Sequence, residues 1–60
     1  RRIPVKALGP GRTLVYLGHE YPVTQVSHAG DEYVVTVIYQ GSPTPIRLRA
    51  TEHVWVSETN

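Results

Sequence analysis

Between residues 46 and 57 the apolar positions recur at every second residue. Ile46, Leu48 and Ala50 alternate with Arg47 and Arg49, and Val54 and Val56 flank Trp55. A period of two sends successive side chains to opposite faces of a strand. No stretch carries the three-to-four spacing of an amphipathic helix, and β-branched residues and tyrosine dominate the apolar set. Glycine and proline punctuate the chain every several residues, as turns punctuate a small sheet protein.

The pattern predicts strands over 12–17, 20–27, 32–39, 46–50 and 54–57. Residues 1–7 read as a basic arm that can end in a short strand through Val5, and "LGPG" at 8–11 as a turn. Gly18-His19 fits a tight hairpin connection with glycine at its first central position. "HAGD" at 28–31 is the next hairpin loop, "QGSPTP" at 40–45 the widest loop, and "TEH" at 51–53 a one-turn connector. Pro22 has no N–H for a ladder, so the strand holding it is expected to begin at an edge or a bulge. In "EYVVTVIY", residues 32–39, Tyr33, Val35, Val37 and Tyr39 share one face, and Val34, Thr36 and Ile38 the other. A strand apolar on both faces is expected to bend and serve two packed sheets.

Five short strands in about 60 residues, with one helical turn before the last in "RATEHVWVSE", resemble the Src-homology-3-type small barrel. That resemblance implies an all-β fold: a five-stranded SH3-like barrel made from one strongly bent antiparallel sheet. It would comprise a basic N-terminal arm and turn at 1–11, the barrel at 12–57 and a C-terminal tail at 58–60. The aromatic "ALYDY"-like opening of the proline-peptide-binding members has no counterpart, nor do their acidic loop and loop-borne tryptophan. The architecture is carried over and the peptide specificity is not. "VKALGPGRTLVYLG" followed by "RLRATEHVWV" is also similar to the opening and Thr-x-x-His block of self-splicing Hint domains. Here Thr51-Glu52-His53 is one residue short and Arg1 stands where the nucleophile would be, so splicing chemistry is not carried over.

At 60 residues the chain makes one domain at most, and a domain this small buries only about 60% of its unfolded surface. Small folds usually add a staple, and with no cysteine neither disulfides nor a cysteine zinc site can serve. Dense packing or another chain must supply the difference, which makes self-association an expectation. The chain starts at Arg1 and holds no methionine, as a piece of a longer polypeptide would. Absence of cysteine is compatible with a reducing, cytoplasmic setting, and no apolar run approaches the ~18 residues of a membrane span. The net charge of +1 is too balanced for a dedicated polyanion binder, although Arg1, Arg2, Lys6 and Arg12 all precede the first acid, Glu20.

For chemistry the residues offer little. His19, His28 and His53 fall in turns or connectors without a ligand-like spacing, so no metal and no cofactor is expected. Glu20, Asp31, Glu32, Glu52 and Glu58 read as turn or strand-end carboxylates, and Ser27, Ser42 and Ser57 lack a nucleophile's context. A small barrel filled by its own side chains leaves little room for a substrate, so neither catalysis nor a small-molecule substrate is expected. A site shared between subunits would need a polar cleft containing His28 or His53. The alternation instead places Arg47, Arg49 and Trp55 on the outer face, with Tyr39 or Tyr16 nearby, as anchors for a protein partner or the chain's own copy. Any of Tyr16, Tyr21, Tyr33 and Tyr39 can extend the aromatic surface, but a core position with the hydroxyl reaching solvent is the commoner outcome in a small barrel. Tyr33 and Tyr39 share the face of Val35 and Val37, so at least one of them is expected in the core. The alternative is a nucleic-acid accessory module, with Arg1, Arg2, Lys6 and Arg12 on phosphates and Trp55 stacking on a base.

Overall fold

A computed structural model of the chain describes residues 1–57. In chain order these form β1 (Arg2–Pro4), a 3₁₀ turn (Val5–Ala7), β2 (Thr13–Tyr16), β3 (His19–Ala29), β4 (Glu32–Tyr39), β5 (Ser42–Arg49) and β6 (His53–Ser57). All pairings are antiparallel, in one six-stranded sheet of order β1-β6-β2-β3-β4-β5. The sheet is not closed, and β1 and β5 are its edges. The expected tail at 58–60, with Glu58, lies outside the described residues.

Six strands replace the expected five, and the difference lies in the segment read as an arm. Arg1 and Val56 exchange both backbone hydrogen bonds, at 3.0 and 2.8 Å, and Ile3 sits opposite Val54. Ile3, Val5 and Leu8 supply three of the ten buried core residues, so residues 1–8 are part of the domain rather than an appendage. The other core residues are Leu14, Val23, Val35, Val37, Leu48, Val54 and Val56.

Three two-residue turns set the register. Leu17-Gly18 and Gln40-Gly41 both hold positive φ, 51° and 79° in the first and 51° and 80° in the second, the signature of type I′ hairpins. Gly30-Asp31 joins β3 to β4, with Gly30 alone at positive φ (63°). The first turn sits one residue earlier than Gly18-His19, because Tyr16 pairs with His19 and both central residues must be left-handed. A leucine in that conformation costs about 1–2 kcal/mol, which is why the pattern pointed to the glycine instead.

The loop expected at 40–45 is only Gln40-Gly41, and Pro43 and Pro45 lie inside β5. A two-residue turn makes Tyr39 and Ser42 a hydrogen-bonded pair, after which bonded and non-bonded pairs alternate along the ladder. The 2.8 Å bond from Ala50 N–H to the Asp31 carbonyl continues that alternation at the far end. Thr44, Ile46 and Leu48 therefore direct their N–H groups at β4, while positions 43, 45, 47 and 49 direct theirs at the open edge. Two of those four are prolines, and the N–H of Arg49 is held by Glu52 Oε2 at 2.9 Å. On β1 the same logic turns position 4 outward, and it too is proline. Proline at outward positions removes the donors an exposed edge would offer another strand.

The expectation that 32–39 bends between two sheets is also corrected: β3, eleven residues long, does so. Its first half pairs with β2, its second with β4, and the register shifts between Val23 and Gln25. Thr24 is the extra residue of that bulge, and its hydroxyl donates to the Thr36 carbonyl at 3.3 Å. Pro22 opposes Thr13 in a non-bonded pair, so its missing N–H falls on the side away from β2, where β4 would otherwise continue.

Replacing Pro43 and Pro45 together with valine restores two edge donors and raises strand propensity. The expected outcome is concentration-dependent, β-rich assembly of a protein whose monomer circular dichroism is unchanged, followed by light scattering. A double variant as dispersed as the parent at every concentration would contradict the edge argument.

Candidate functional site

The residues singled out as anchors separate into three places. Tyr16 and Tyr39 line one concavity; Trp55 stands elsewhere; Arg47 and Arg49 stand elsewhere again.

Tyr16 and Tyr39 flank the two type I′ turns, and the bend of β3 brings them together. Beyond Val23 and Val37 the strands β3 and β4 no longer pair, because β3 has turned toward β2. The wedge between them is an open concavity of about 170 Å³ on the core side of the sheet. Its lining is Tyr16 from β2, Tyr21 from β3, Val37 and Tyr39 from β4, and Thr44 and Ile46 from β5. The rings of Tyr21 and Tyr39 lie 6.0 Å apart, tilted by 57°, and His19 extends the cluster at 6.3 Å from Tyr21. Tyr16 and Tyr39 remain 38% and 47% exposed, whereas Tyr21 and Tyr33 pack against the core, so of the pair Tyr33 and Tyr39 it is Tyr33 that is partly buried. The lining holds neither carboxylate nor imidazole.

Trp55 lies on the opposite, outer face and is 57% exposed. Its cross-strand neighbours are Val15 on β2 and Arg2 on β1. Since Arg1–Val56 is the bonded pair, Arg2–Trp55 is a non-bonded one, the type in which opposite side chains come closest. The arginine beside the indole is thus Arg2, one of the residues of the nucleic-acid alternative. Lys6 is exposed on the 3₁₀ turn, and Arg12 is half-buried where its carbonyl accepts from the Val23 N–H at 2.9 Å.

Arg47 and Arg49 are exposed on the outer face of β5, but β2, β3 and β4 intervene between that strand and β6. Glu32 lies opposite Arg49, and its Oε1 is 3.7 Å from a guanidinium nitrogen of Arg47. A single stacking surface made from Trp55, Arg47 and Arg49 does not form. The pattern assigned the correct face to each residue and had no access to the strand order.

The histidines are dispersed. His28 stacks on Tyr33 (4.5 Å, 9°) at the far end of β3, His19 opens β3 and His53 opens β6. Among the described residues no group of three or more His, Cys, Asp or Glu is placed to hold a metal ion, and no helix is long and apolar enough to cross a membrane. Set against protein-family models, curated proteins and solved structures, the chain matches none of them.

The clearest missed participants are Ile46 and Thr44, which complete the concavity from β5. A signal was present: "YLG" and "YQG" place a tyrosine directly before each left-handed pair, so both tyrosines belong to hairpin ends. Exposure of the indole gives a direct check. Iodide and acrylamide should quench native Trp55 at rates close to those in the unfolded chain, and Trp55→Ala should change stability by less than ~1 kcal/mol in urea titration. Strong protection from both quenchers would place the indole against something else.

Proposed function

We propose that this chain is a non-catalytic binding module of the SH3-like small-barrel type that acts by protein–protein contact, its own copy included. The tight hairpins through β2–β5 and the β-turn before β6, closed by the Glu52 N–H donating to the Arg49 carbonyl, support the barrel kinship. Among the described residues, however, the one 3₁₀ turn precedes β2 and not the last strand. The observation that carries the function is the convergence of three tyrosines from three strands on one open apolar concavity. Tyrosine gives a large, stiff contact area with a polar tip, which suits a surface that must be both wet and able to bind. Phenols and aliphatics without a charged group favour an apolar side chain of a polypeptide over a charged substrate. A cytoplasmic setting belongs to the same reading and rests on the cysteine-free sequence.

Titrating the labelled protein with short peptides bearing leucine, proline or tryptophan tests this. Ring resonances of Tyr16, Tyr21 and Tyr39 should move together for at least one peptide, and Tyr39→Ala should remove the response while leaving the fold intact. Rings indifferent to every peptide and to the protein's own concentration would rule the concavity out as a binding site.

The register of Arg2 beside Trp55 favours a second reading, a single-stranded nucleic acid laid on the outer face of β1 and β6. Base stacking on an indole is worth about 1–3 kcal/mol per base. Oligonucleotide affinity would then fall with salt at a slope of about −0.7 per phosphate neutralised, and Arg2→Ala would make that slope shallower. No binding at low ionic strength removes this reading.

A further inference from the structure

We infer that the concavity is filled by Leu17 of a second copy of the chain, each copy's leucine entering the other's tyrosine-walled site. The inference rests on the reading of that concavity as a binding site and names its occupant.

Leu17 is the most anomalous residue of the described chain. It is 81% exposed, the highest of the exposed large apolar residues, and it holds a left-handed φ of 51° that bulky side chains avoid. The fold requires a left-handed residue at that position, but asparagine, aspartate or glycine would satisfy it better. The equivalent position of the other type I′ turn is the polar Gln40. Neither packing nor turn chemistry accounts for an apolar side chain here.

Its neighbour Tyr16 lines the concavity, while Leu17 itself does not and points its surface to solvent. Knob and hole therefore lie side by side on one patch. A two-fold dimer needs that arrangement, because an isologous interface sets the same patch against itself. A hole distant from its knob would instead propagate open chains. A space of about 170 Å³ between phenol rings, over Val37 and Ile46, suits one aliphatic side chain. No charged side chain lines it to oppose a second copy. Prolines at the outward positions of β1 and β5 disfavour association by edge pairing, which leaves side-chain contact as the open route. One leucine in one such concavity per copy is a limited contact, so the dimer is a weak, reversible one.

The test is a dilution series of the whole chain followed by NMR and sedimentation, from about 10 μM to several millimolar. Leu17 methyl and Tyr16, Tyr21 and Tyr39 ring signals should shift together with concentration, and a mixed-label sample should give Leu17–Tyr39 contacts between copies. Leu17→Asn should weaken association at least tenfold while raising the thermal midpoint, because asparagine accepts the left-handed backbone. A purely structural leucine could not move the two readouts in opposite directions. Leu17→Gly should reproduce the loss of association. A wild-type chain that stays monomeric to several millimolar, or dimerises equally well as Leu17→Asn, overturns the inference. If it is monomeric and acetyl-leucine amide still shifts the tyrosine rings, the occupant is wrong and the binding site stands. If the rings are silent to both, the two readings fall together.

Discussion

At Val23 the third strand passes from the β2 ladder to the β4 ladder, and most of the molecule's shape follows from that. Pro22 offers no N–H to the β4 side, Thr24 is an extra residue in the ladder, and between them the strand leaves β2 and begins to pair with β4. The bend folds one sheet over itself, so that Val23, Val35 and Val37 face Leu14, Val54 and Val56 across a shared core. It also leaves a wedge where β3 and β4 part. Tyr16, Tyr21 and Tyr39 line that wedge. The concavity is thus a by-product of the bulge, its walls set by backbone geometry and its floor by core residues.

The open ends of the sheet are handled by the same economy. A sheet of this length that does not close exposes two rows of backbone groups, a standing invitation to other strands. β1 is three residues long and carries Pro4, and β5 carries Pro43 and Pro45 with Arg49 tied to Glu52. What reads locally as strand-breaking composition is compatible with a strand because each proline occupies a position that owes its ladder no donor.

Strand content and the assignment of faces were legible in the sequence, since both depend on a period of two that local residues carry. Ile46, Leu48, Val54 and Val56 point toward the core side, and Arg47, Arg49 and Trp55 are on the outer face. Strand order was not legible. Whether Trp55 neighbours Arg2 or Arg47 depends on which strand lies beside β6, and no local pattern encodes that pairing. The first strand was legible only as the possible end of an arm, because a three-residue edge, Arg2–Pro4, has too few positions to display alternation. The loop at 40–45 was overlong because a proline's meaning depends on whether its nitrogen faces inward or outward, and that parity is set by the turn before it. The site was half legible for the same reason: Tyr16 and Tyr39 could be named as surface aromatics, but their convergence with Tyr21 needed the bend of β3.

The two type I′ turns allow a comparison within one molecule. Their backbones are nearly the same, φ 51° and 79° against 51° and 80°, each preceded by a tyrosine of the concavity. Strain from a non-glycine residue at the first position is therefore common to both and cannot distinguish them. Solvation does: Gln40 meets water as a polar group, and Leu17 as an apolar one. For a domain of 60 residues, total stability is expected to be only about 3–9 kcal/mol, so a strained turn position costing about 1–2 kcal/mol is a large share of it. A fold that tolerates such a cost twice, and at one of the two places exposes a leucine as well, is not arranged for stability at that tip. The excess at Leu17 over Gln40 is a difference in what the side chain meets, and what an 81% exposed leucine meets is mostly solvent.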